Sequence, residues 1–207
     1  MAYMKIKYFT TLINKKYNDG NKLPSFFYLR RDIMKKIVIT DADFGLQDTP
    51  LDNPRTRFGA RGIIQNDEGK IAVFNKQVKN EYKLPGGGID EGEDPYVAFE
   101  REAIEETGCT LKGIQILGEI EERQGKENFL QKSFIFISKV KENLGTLLLT
   151  EKEKEEGAIL HWLEPKEALA IMEGCIDDLH ASSYDNVYRS KFMVKRDIEI
   201  LKAFLKI

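Results

Sequence analysis

Cysteine and histidine are both scarce in this chain of 207 residues, with two of each. Cys109 and Cys175 show no CxxC spacing, so the sequence indicates buried, reduced thiols and no disulfide framework. His161 and His180 lie in no Cys/His cluster, which argues against a zinc site. Reduced cysteines are typical of the cytoplasm, and we expect a cytoplasmic protein.

Long apolar runs are lacking as well. The longest, FIFI at 134–137 and LLL at 147–149, fall far short of the roughly 18 residues that a membrane-spanning helix needs. The N-terminus also lacks an apolar run followed by a small-residue cleavage site. We therefore expect neither a signal peptide nor a membrane partner.

Neither sign of charge is in excess, because 32 Lys and Arg stand against 34 Asp and Glu, a net charge of -2. General nucleic-acid binders usually carry a basic excess, so this balance argues against nucleic acid as a partner. Hydrophobic residues make up 42% of the chain, which is enough for one domain with a packed core.

Residues 1–33 differ in composition from the rest of the chain. They hold seven Lys and Arg against two Asp, together with seven aromatic residues. We predict a basic, aromatic-rich N-terminal extension over 1–33, followed by one domain over 34–207. An arm that binds a partner or nucleic acid and an extension with no separate role both fit this composition.

The pattern after Met34 is that of a mixed α/β domain. Turn-rich residues at 48–57 predict a loop, and the NDEG turn at 66–69 predicts a hairpin between its flanking strands. The predicted strands cover 35–40, 58–65, 70–76, 81–84, 111–124, 128–140 and 158–163, and helices are predicted over 95–107, 165–172 and 187–205.

The helix over 95–107 has clear end signals and an unusual acidic face. Asp94 suits the N-cap, Pro95 the first turn and Gly108 the left-handed C-terminal position. Glu102, with the glutamates three and four residues later, lies on one face, where like charges repel. A solvated acidic face is one interpretation; a hard divalent cation held by carboxylate oxygens, Mg²⁺ or else Mn²⁺, is the other.

Three familiar glycine-rich motifs do not fit the stretch around these residues. No lysine follows the glycines at 86–88, which excludes a P-loop, and Glu91 stands where a dinucleotide-binding fingerprint needs its last glycine. A calcium-binding EF-hand beginning at Asp90 would need Asp or Asn where Gly92 stands and Glu where Arg101 stands.

What matches is the pattern Gx5Ex7REUxEExGU, where U is a bulky aliphatic residue. Every fixed position agrees, and only the two U positions depart from the pattern, holding the small residues Ala103 and Cys109. The matching residues are Gly87, Glu93, Arg101, Glu102, Glu105, Glu106 and Gly108. The chain therefore resembles the Nudix hydrolases, and the resemblance implies an α/β/α sandwich with a mixed, partly antiparallel sheet.

The resemblance also implies roles for these residues. Glu102, Glu105 and Glu106 match glutamates that bind Mg²⁺ and act in catalysis, and a carbonyl near Gly87 would complete the metal shell. Glu93 and Arg101 match a supporting ion pair.

A further acidic residue in this family commonly precedes the strand that carries a tryptophan. Glu156, six residues before Trp162, is the candidate catalytic residue here. Glu155 and Glu153 stand behind it as alternatives, and a solvated charged turn is the competing interpretation of the whole acidic run.

Several basic residues and the histidines invite a substrate role. Arg61 lies inside an apolar strand, where an arginine either reaches solvent or meets an anion, so we predict that it binds substrate phosphate. Arg196, with Lys191 and Lys195, is predicted to be surface charge. For each of the two histidines, a purely structural role and a contact to a base or ribose both stay open.

The function implied is Mg²⁺-dependent hydrolysis of a pyrophosphate bond in a nucleoside diphosphate linked to another group. A modified nucleoside triphosphate cut to the monophosphate is favoured, because the chain after the motif is short. Nucleotide-sugar or ADP-ribose cleavage, a non-catalytic nucleotide sensor and an RNA 5′-end pyrophosphohydrolase stay open. The partner expected is a small nucleotide, and a homodimer, frequent in the family, is left open.

Overall fold

An eight-stranded mixed sheet with helices on both faces makes up residues 36–207, the part of the chain that this computed structural model describes. The predicted N-terminal extension and its boundary at residue 33 lie outside the described residues. The strands are β1 (Ile37–Ile39), β2 (Arg55–Gln65), β3 (Ile71–Lys76), β4 (Glu81–Lys83), β5 (Gly86–Gly88), β6 (Cys109–Gln124), β7 (Phe129–Asn143) and β8 (Ala158–Leu163), and the α-helices are α1 (Pro95–Thr107), α2 (Glu151–Glu155), α3 (Pro165–Cys175) and α4 (Val187–Phe204).

The strands run in the order β1-β6-β7-β2-β3-β4, with β5 paired to β2 and β8 paired to β3. β2 and β7 are parallel along the whole of β2, from Arg55 opposite Phe129 to Gln65 opposite Lys139. β1 is parallel to β6, and the remaining pairs are antiparallel. The sheet is thus mixed and partly antiparallel, as the resemblance implies.

Each face of the sheet carries its own apolar cluster. On one face Phe99 of α1 stacks on Phe136 of β7, with ring centroids 5.1 Å apart. On the other face Ile63 and Ile135 pack with Phe192 of α4 and with α3. Side chains alternate between faces along a strand, so β2 contributes to both clusters. The α/β/α sandwich is confirmed.

The helix that carries the acidic face was predicted to the residue. Asp94 accepts a hydrogen bond from the Tyr96 amide at 2.8 Å, and Gly108 takes a left-handed conformation with φ +65°. The predicted loop at 48–57 was wrong at its end, because β2 already begins at Arg55. Pairing with β7 extends the strand there, and β7 is remote in sequence.

None of the helices within residues 36–207 is both long enough and apolar enough to cross a membrane.

Candidate active site

Two glycines bring strand β5 against both β2 and helix α1. Gly86 has φ +137°, and a Cβ there would lie 2.4 Å from the Ala60 carbonyl oxygen. A Cβ at Gly87 would lie 2.3 Å from Oε1 of Glu102. Because neither residue has a side chain, the carboxylate of Glu102 reaches the β5 backbone directly.

Glu106 is the most deeply buried of the acidic residues on this face, with 2% of its surface exposed. Its Oε2 accepts a hydrogen bond from the Gly86 amide at 2.8 Å, and its Oε1 lies 2.7 Å from Nζ of Lys83. Lys83 is buried too, and its ammonium sits 5.5 Å from the centre of the Phe74 ring. Sequence reasoning did not find Lys83; a lysine directly before the Leu-Pro-Gly turn of a buried strand was the available signal.

Glu102 lies beside Glu106 on the same helix face. Burial raises the pKa of Glu102, and the negative charge of Glu106 raises it further, while the hydrogen bond from Arg101 at 2.8 Å opposes both. The ionised carboxylate is therefore held at a free-energy cost that a nearby cation would reduce.

Arg101 connects the loop after β5 to the acidic helix face. It donates to both oxygens of Glu93 at 3.0 Å, to the Gly88 carbonyl at 3.0 Å and to Glu105 at 3.3 Å. The hydrogen bond from Arg101 lowers the pKa of Glu93, whose carboxylate also accepts from the Asp90 amide. The ion pair implied by the resemblance is present, and it fixes the loop to the helix.

Within residues 36–207 the side chains, as placed, form no group of three or more His, Cys, Asp or Glu that could hold a metal ion. Arg101 draws Glu102 and Glu105 to one side, and Lys83 holds Glu106. The donors nevertheless suit a hard divalent cation, since they are carboxylates on one face with a raised pKa at Glu102. The residues therefore fit Mg²⁺, with rotation of the glutamate side chains.

In the acidic loop before β8, the contacts of Glu156 differ from those expected of a catalytic residue. Glu156 is 1% exposed, its Oε2 lies 2.6 Å from Nζ of Lys76, and its Oε1 accepts from Ser182 at 2.8 Å. These contacts engage both oxygens of Glu156 with residues outside α1. Burial raises the pKa of Glu153, but the charge of Lys83 and hydrogen bonds from Thr150 outweigh it, so the pKa is lowered. Through Lys83, Glu153 is the loop residue coupled to Glu106.

Arg61 is buried and already has partners. Its Nη1 donates to the Leu84 carbonyl at 2.5 Å and lies 3.8 Å from Oδ2 of Asp197 in α4. Burial and the charge of Arg196 lower the pKa of Arg61. Arg61 also lines a cavity of about 160 Å³ that Gly87 borders.

That cavity lies between the sheet and α4, and arginines dominate its wall. Its floor comes from β2, β6 and β7, where residues two apart point to the same face. The lining residues are Arg55, Arg57, Arg61, Gly87, Glu122, Gln124, Phe129, Gln131, Ser133, Asp185, Arg189, Met193 and Arg196. Neither histidine is among them. Three of the five guanidinium groups are paired with carboxylates. Arg55 and Arg57 form no ion pair within residues 36–207, and their charges make the cavity suitable for an anionic ligand.

Arg196 was predicted to be surface charge, and this was wrong. It is 3% exposed, donates to Glu122 at 3.0 Å and to Asp197 at 2.8 Å, and faces the sheet. Arg57 is exposed, and its Nη2 would lie 2.7 Å from a Cβ at Gly88, so its guanidinium covers the glycine strand. Neither position could be found from local sequence signals, because both depend on how β2 and α4 meet.

Comparison with known proteins assigns the chain to a family. Residues 55–186, more than half of the chain, match the family model described as NUDIX domain. The solved structure of a Nudix hydrolase from Nitrosomonas europaea aligns with a TM-score of 0.52 over 73% of this chain and 90% of that chain, at 15% identity. At this identity the likeness shows the fold.

Two relatives match shorter stretches. An RNA pyrophosphohydrolase from Vibrio atlanticus is 34% identical over 67 residues, 32% of this chain and 39% of that protein. An RNA pyrophosphohydrolase from a Sulfurovum species is 49% identical over 52 residues, 25% of this chain and 32% of that protein. The matched stretch thus spans less than half the length of these relatives.

Proposed function

This chain belongs to the NUDIX domain family, and on that premise we propose that it hydrolyses a pyrophosphate bond in a nucleoside diphosphate linked to another group. One observation carries the proposal. The carboxylates of Glu102 and Glu106 meet the backbone of the glycine strand β5 beside a cavity lined by five arginines. Acidic metal ligands next to an anion-binding cavity are what pyrophosphate hydrolysis requires.

Glu102, Glu105 and Glu106, with the Gly87 carbonyl, would hold a divalent cation, Mg²⁺ or else Mn²⁺. When bound, such an ion lowers the pKa of a coordinated water and offsets charge on the phosphate oxygens. A carboxylate of this set, or Glu153 from the loop before β8, would take the proton of the attacking water.

The surrounding residues hold this set in place. The Glu93–Arg101 pair ties the loop after β5 to α1, and the Gly86 amide fixes one oxygen of Glu106. Arg57 lies over the glycine strand, so its guanidinium is close to a pyrophosphate placed there. Arg61, held by Asp197 and Leu84 behind the strand, contributes positive charge to the same wall.

Within this reaction we favour a nucleoside triphosphate cut to the monophosphate. Arg57 lies over the glycine strand and forms no ion pair within residues 36–207, so its charge is available to the phosphate chain. A second candidate is the triphosphate end of an RNA, which the names of the two partial relatives favour. Nucleotide sugars and ADP-ribose, each with two phosphates, are the other substrates of this reaction class. A sensor without catalysis leaves the retained acidic set unexplained.

A substrate panel tests the proposal. The full chain is incubated with GTP, ATP, ADP-ribose, UDP-glucose and a 5′-triphosphorylated RNA, each with Mg²⁺ and with chelator. Mg²⁺-dependent formation of a monophosphate from one class, lost in Glu106→Gln, supports the proposal and names the substrate. Ligand-induced thermal stabilisation without turnover of any member of the panel would contradict it.

A further inference from the structure

Two deeply buried polar atoms in the wall of the cavity lack hydrogen-bond partners. They are Nη2 of Arg196 and Oε1 of Gln124, and each of these residues is 3% exposed. Most buried polar groups in proteins are paired, so a donor and an acceptor left unpaired beside one cavity require an explanation. Both residues line the cavity, and a ligand there that offers one acceptor and one donor would satisfy both atoms.

Arg196 cannot turn away to find another partner. Its Nε and Nη1 are engaged by Asp197 and Glu122, which are themselves buried, so the orientation of the guanidinium is fixed. Gln124 is the last residue of β6, opposite Phe129 of β7. The cavity, at about 160 Å³, is far larger than the roughly 15 Å³ that is enough to hold one water, so it has room for a ligand much larger than water.

The rest of the wall at this end suits a flat ring. The guanidinium of Arg55 lies over the Phe129 ring, 4.5 Å from its centre, and these residues are directly opposite each other on β2 and β7. Aromatic rings and guanidinium planes are surfaces on which nucleobases stack. A phosphate does not fit beside Gln124, because a phosphate oxygen offers no proton to the amide oxygen and the Glu122 carboxylate repels it.

We propose that this end of the cavity is a nucleobase subsite and that Gln124 and Arg196 read guanine. Guanine O6 accepts from Nη2 of Arg196, a pairing that proteins commonly use for this base, and guanine N1–H donates to Oε1 of Gln124. Uracil offers the same acceptor and donor through O4 and N3–H. Guanine is favoured over it because its larger ring stacks more fully on the Arg55–Phe129 pair. This inference deepens the proposed function and rests on it only in taking the cavity as the substrate site.

The spacing along β2 agrees with such a ligand. Gly59 lies opposite Gly88 of the glycine strand, and Arg55 lies four residues earlier, opposite Phe129. Four residues of a strand span about 13 Å, which is the reach of a nucleotide from its base to its outer phosphates. The phosphates would thus lie at Gly87 and Arg57 while the base lies at Gln124.

Binding of GMP, AMP, CMP and UMP to the full chain tests the subsite without depending on turnover. Isothermal titration in the presence of chelator should show GMP bound most tightly. Gln124→Leu has a similar volume and no polar atom, and it should weaken GMP binding about tenfold while affecting AMP and CMP less. Because it also removes an unpaired buried acceptor, its Tm should equal or exceed that of the wild type.

Gln131→Leu is the matched control. Gln131 lines the same cavity, but its amide donates to the Lys132 carbonyl at 3.4 Å, so we expect the order of the four monophosphates to stay unchanged. Equal affinities for the four monophosphates in the wild type, or an unchanged GMP preference in Gln124→Leu, would overturn the subsite. A preserved GMP preference in a protein that hydrolyses nothing would overturn only the proposed function.

Discussion

Nζ of Lys83 lies 2.7 Å from Oε1 of Glu106, and both side chains are buried. The lysine belongs to β4, directly before the glycine strand, and the glutamate belongs to the acidic face of α1. A fixed positive charge thus already balances the innermost carboxylate of the proposed metal site. A divalent cation that binds Glu106 must share it with this ammonium.

Replacing Lys83 by methionine should therefore tighten metal binding and weaken the fold. The neighbouring positive charge is lost, so Mn²⁺ should bind at least about tenfold more tightly at pH 8. Without metal, the buried Glu106 is left without its counter-charge, and the free energy of unfolding should fall by about 3 kcal/mol. Mn²⁺ titration by electron paramagnetic resonance and urea unfolding in chelator measure the two effects.

Lys76→Met is the control for that experiment. Lys76 forms the same kind of buried pair, 2.6 Å from Glu156, but Glu156 is outside the acidic face of α1. Lys76→Met should lower the free energy of unfolding without changing the affinity for Mn²⁺. An equal gain in affinity in both variants would show a general charge effect and would refute the specific role of Lys83.

Gly87→Ala should impair activity more than stability. The added Cβ would meet the carboxylate of Glu102 at 2.3 Å, and the flexible end of that side chain can move away at small cost. Displacing a catalytic group by about 1 Å costs on the order of 100-fold in rate. We expect a loss of that size in kcat with little change in Tm.

The control for Gly87→Ala is Gly174→Ala in α3, where a Cβ would meet nothing within 4 Å. Alanine inside a helix should stabilise the protein by about 0.5–1 kcal/mol and leave kcat unchanged. Full activity in Gly87→Ala would mean that Glu102 does not need its position against the glycine strand.

Glu156→Gln separates a structural from a catalytic role for that residue. Because Glu156 is buried against Lys76 and Ser182, we expect the free energy of unfolding to fall by about 2–3 kcal/mol while kcat stays within about twofold. Urea unfolding and steady-state kinetics give both values. A drop of about 100-fold in kcat with an unchanged fold would instead support the catalytic role that the sequence predicts.

Glu121, which is remote from the proposed metal site, should make the free energy of unfolding depend on pH. Burial raises the pKa of its carboxyl group, but Lys36 at 2.6 Å, Arg123 at 3.0 Å and Lys132 at 3.6 Å outweigh this, so the pKa is lowered from 4.5. A lowered carboxyl pKa contributes stability that is present above the unfolded value and is lost as pH falls through the folded value. The window therefore begins near pH 4.5 and extends below it.

Urea unfolding between pH 7 and pH 3 tests this dependence. Glu121→Gln should be less stable than the wild type at pH 7, and the difference should shrink below pH 4.5. Glu119→Gln, on the same strand and without an ion pair to any residue in 36–207, is the control and should follow the wild type throughout. A difference between Glu121→Gln and the wild type that stays constant with pH would contradict the assignment.

The acidic helix could be predicted from sequence because its signals are local. The N-cap, the first-turn proline and the C-terminal glycine lie within fifteen residues, and the shared face of Glu102 and Glu106 follows from helical periodicity. The Glu93–Arg101 pair followed from the resemblance to a family motif and is equally local.

The cavity and its counter-charges could not be predicted, because they arise from pairing between distant segments. Arg55 was assigned to a loop, since its strand exists only through pairing with β7. Arg196 was assigned to the surface, since the two carboxylates that bury it come from β6 and from its own neighbour in α4. Lys83 meets Glu106 only once β5 has paired with β2.

The most direct test of the account compares Glu106→Gln with Glu100→Gln, an exposed glutamate on the same helix. Both are assayed for Mg²⁺-dependent release of monophosphate from GTP, and the Tm of each is measured. We predict that Glu106→Gln loses at least about 100-fold in kcat while still folding, and that Glu100→Gln keeps wild-type activity. Equal activity of the two folded variants would contradict the claim that the carboxylates packed against the glycine strand perform the reaction.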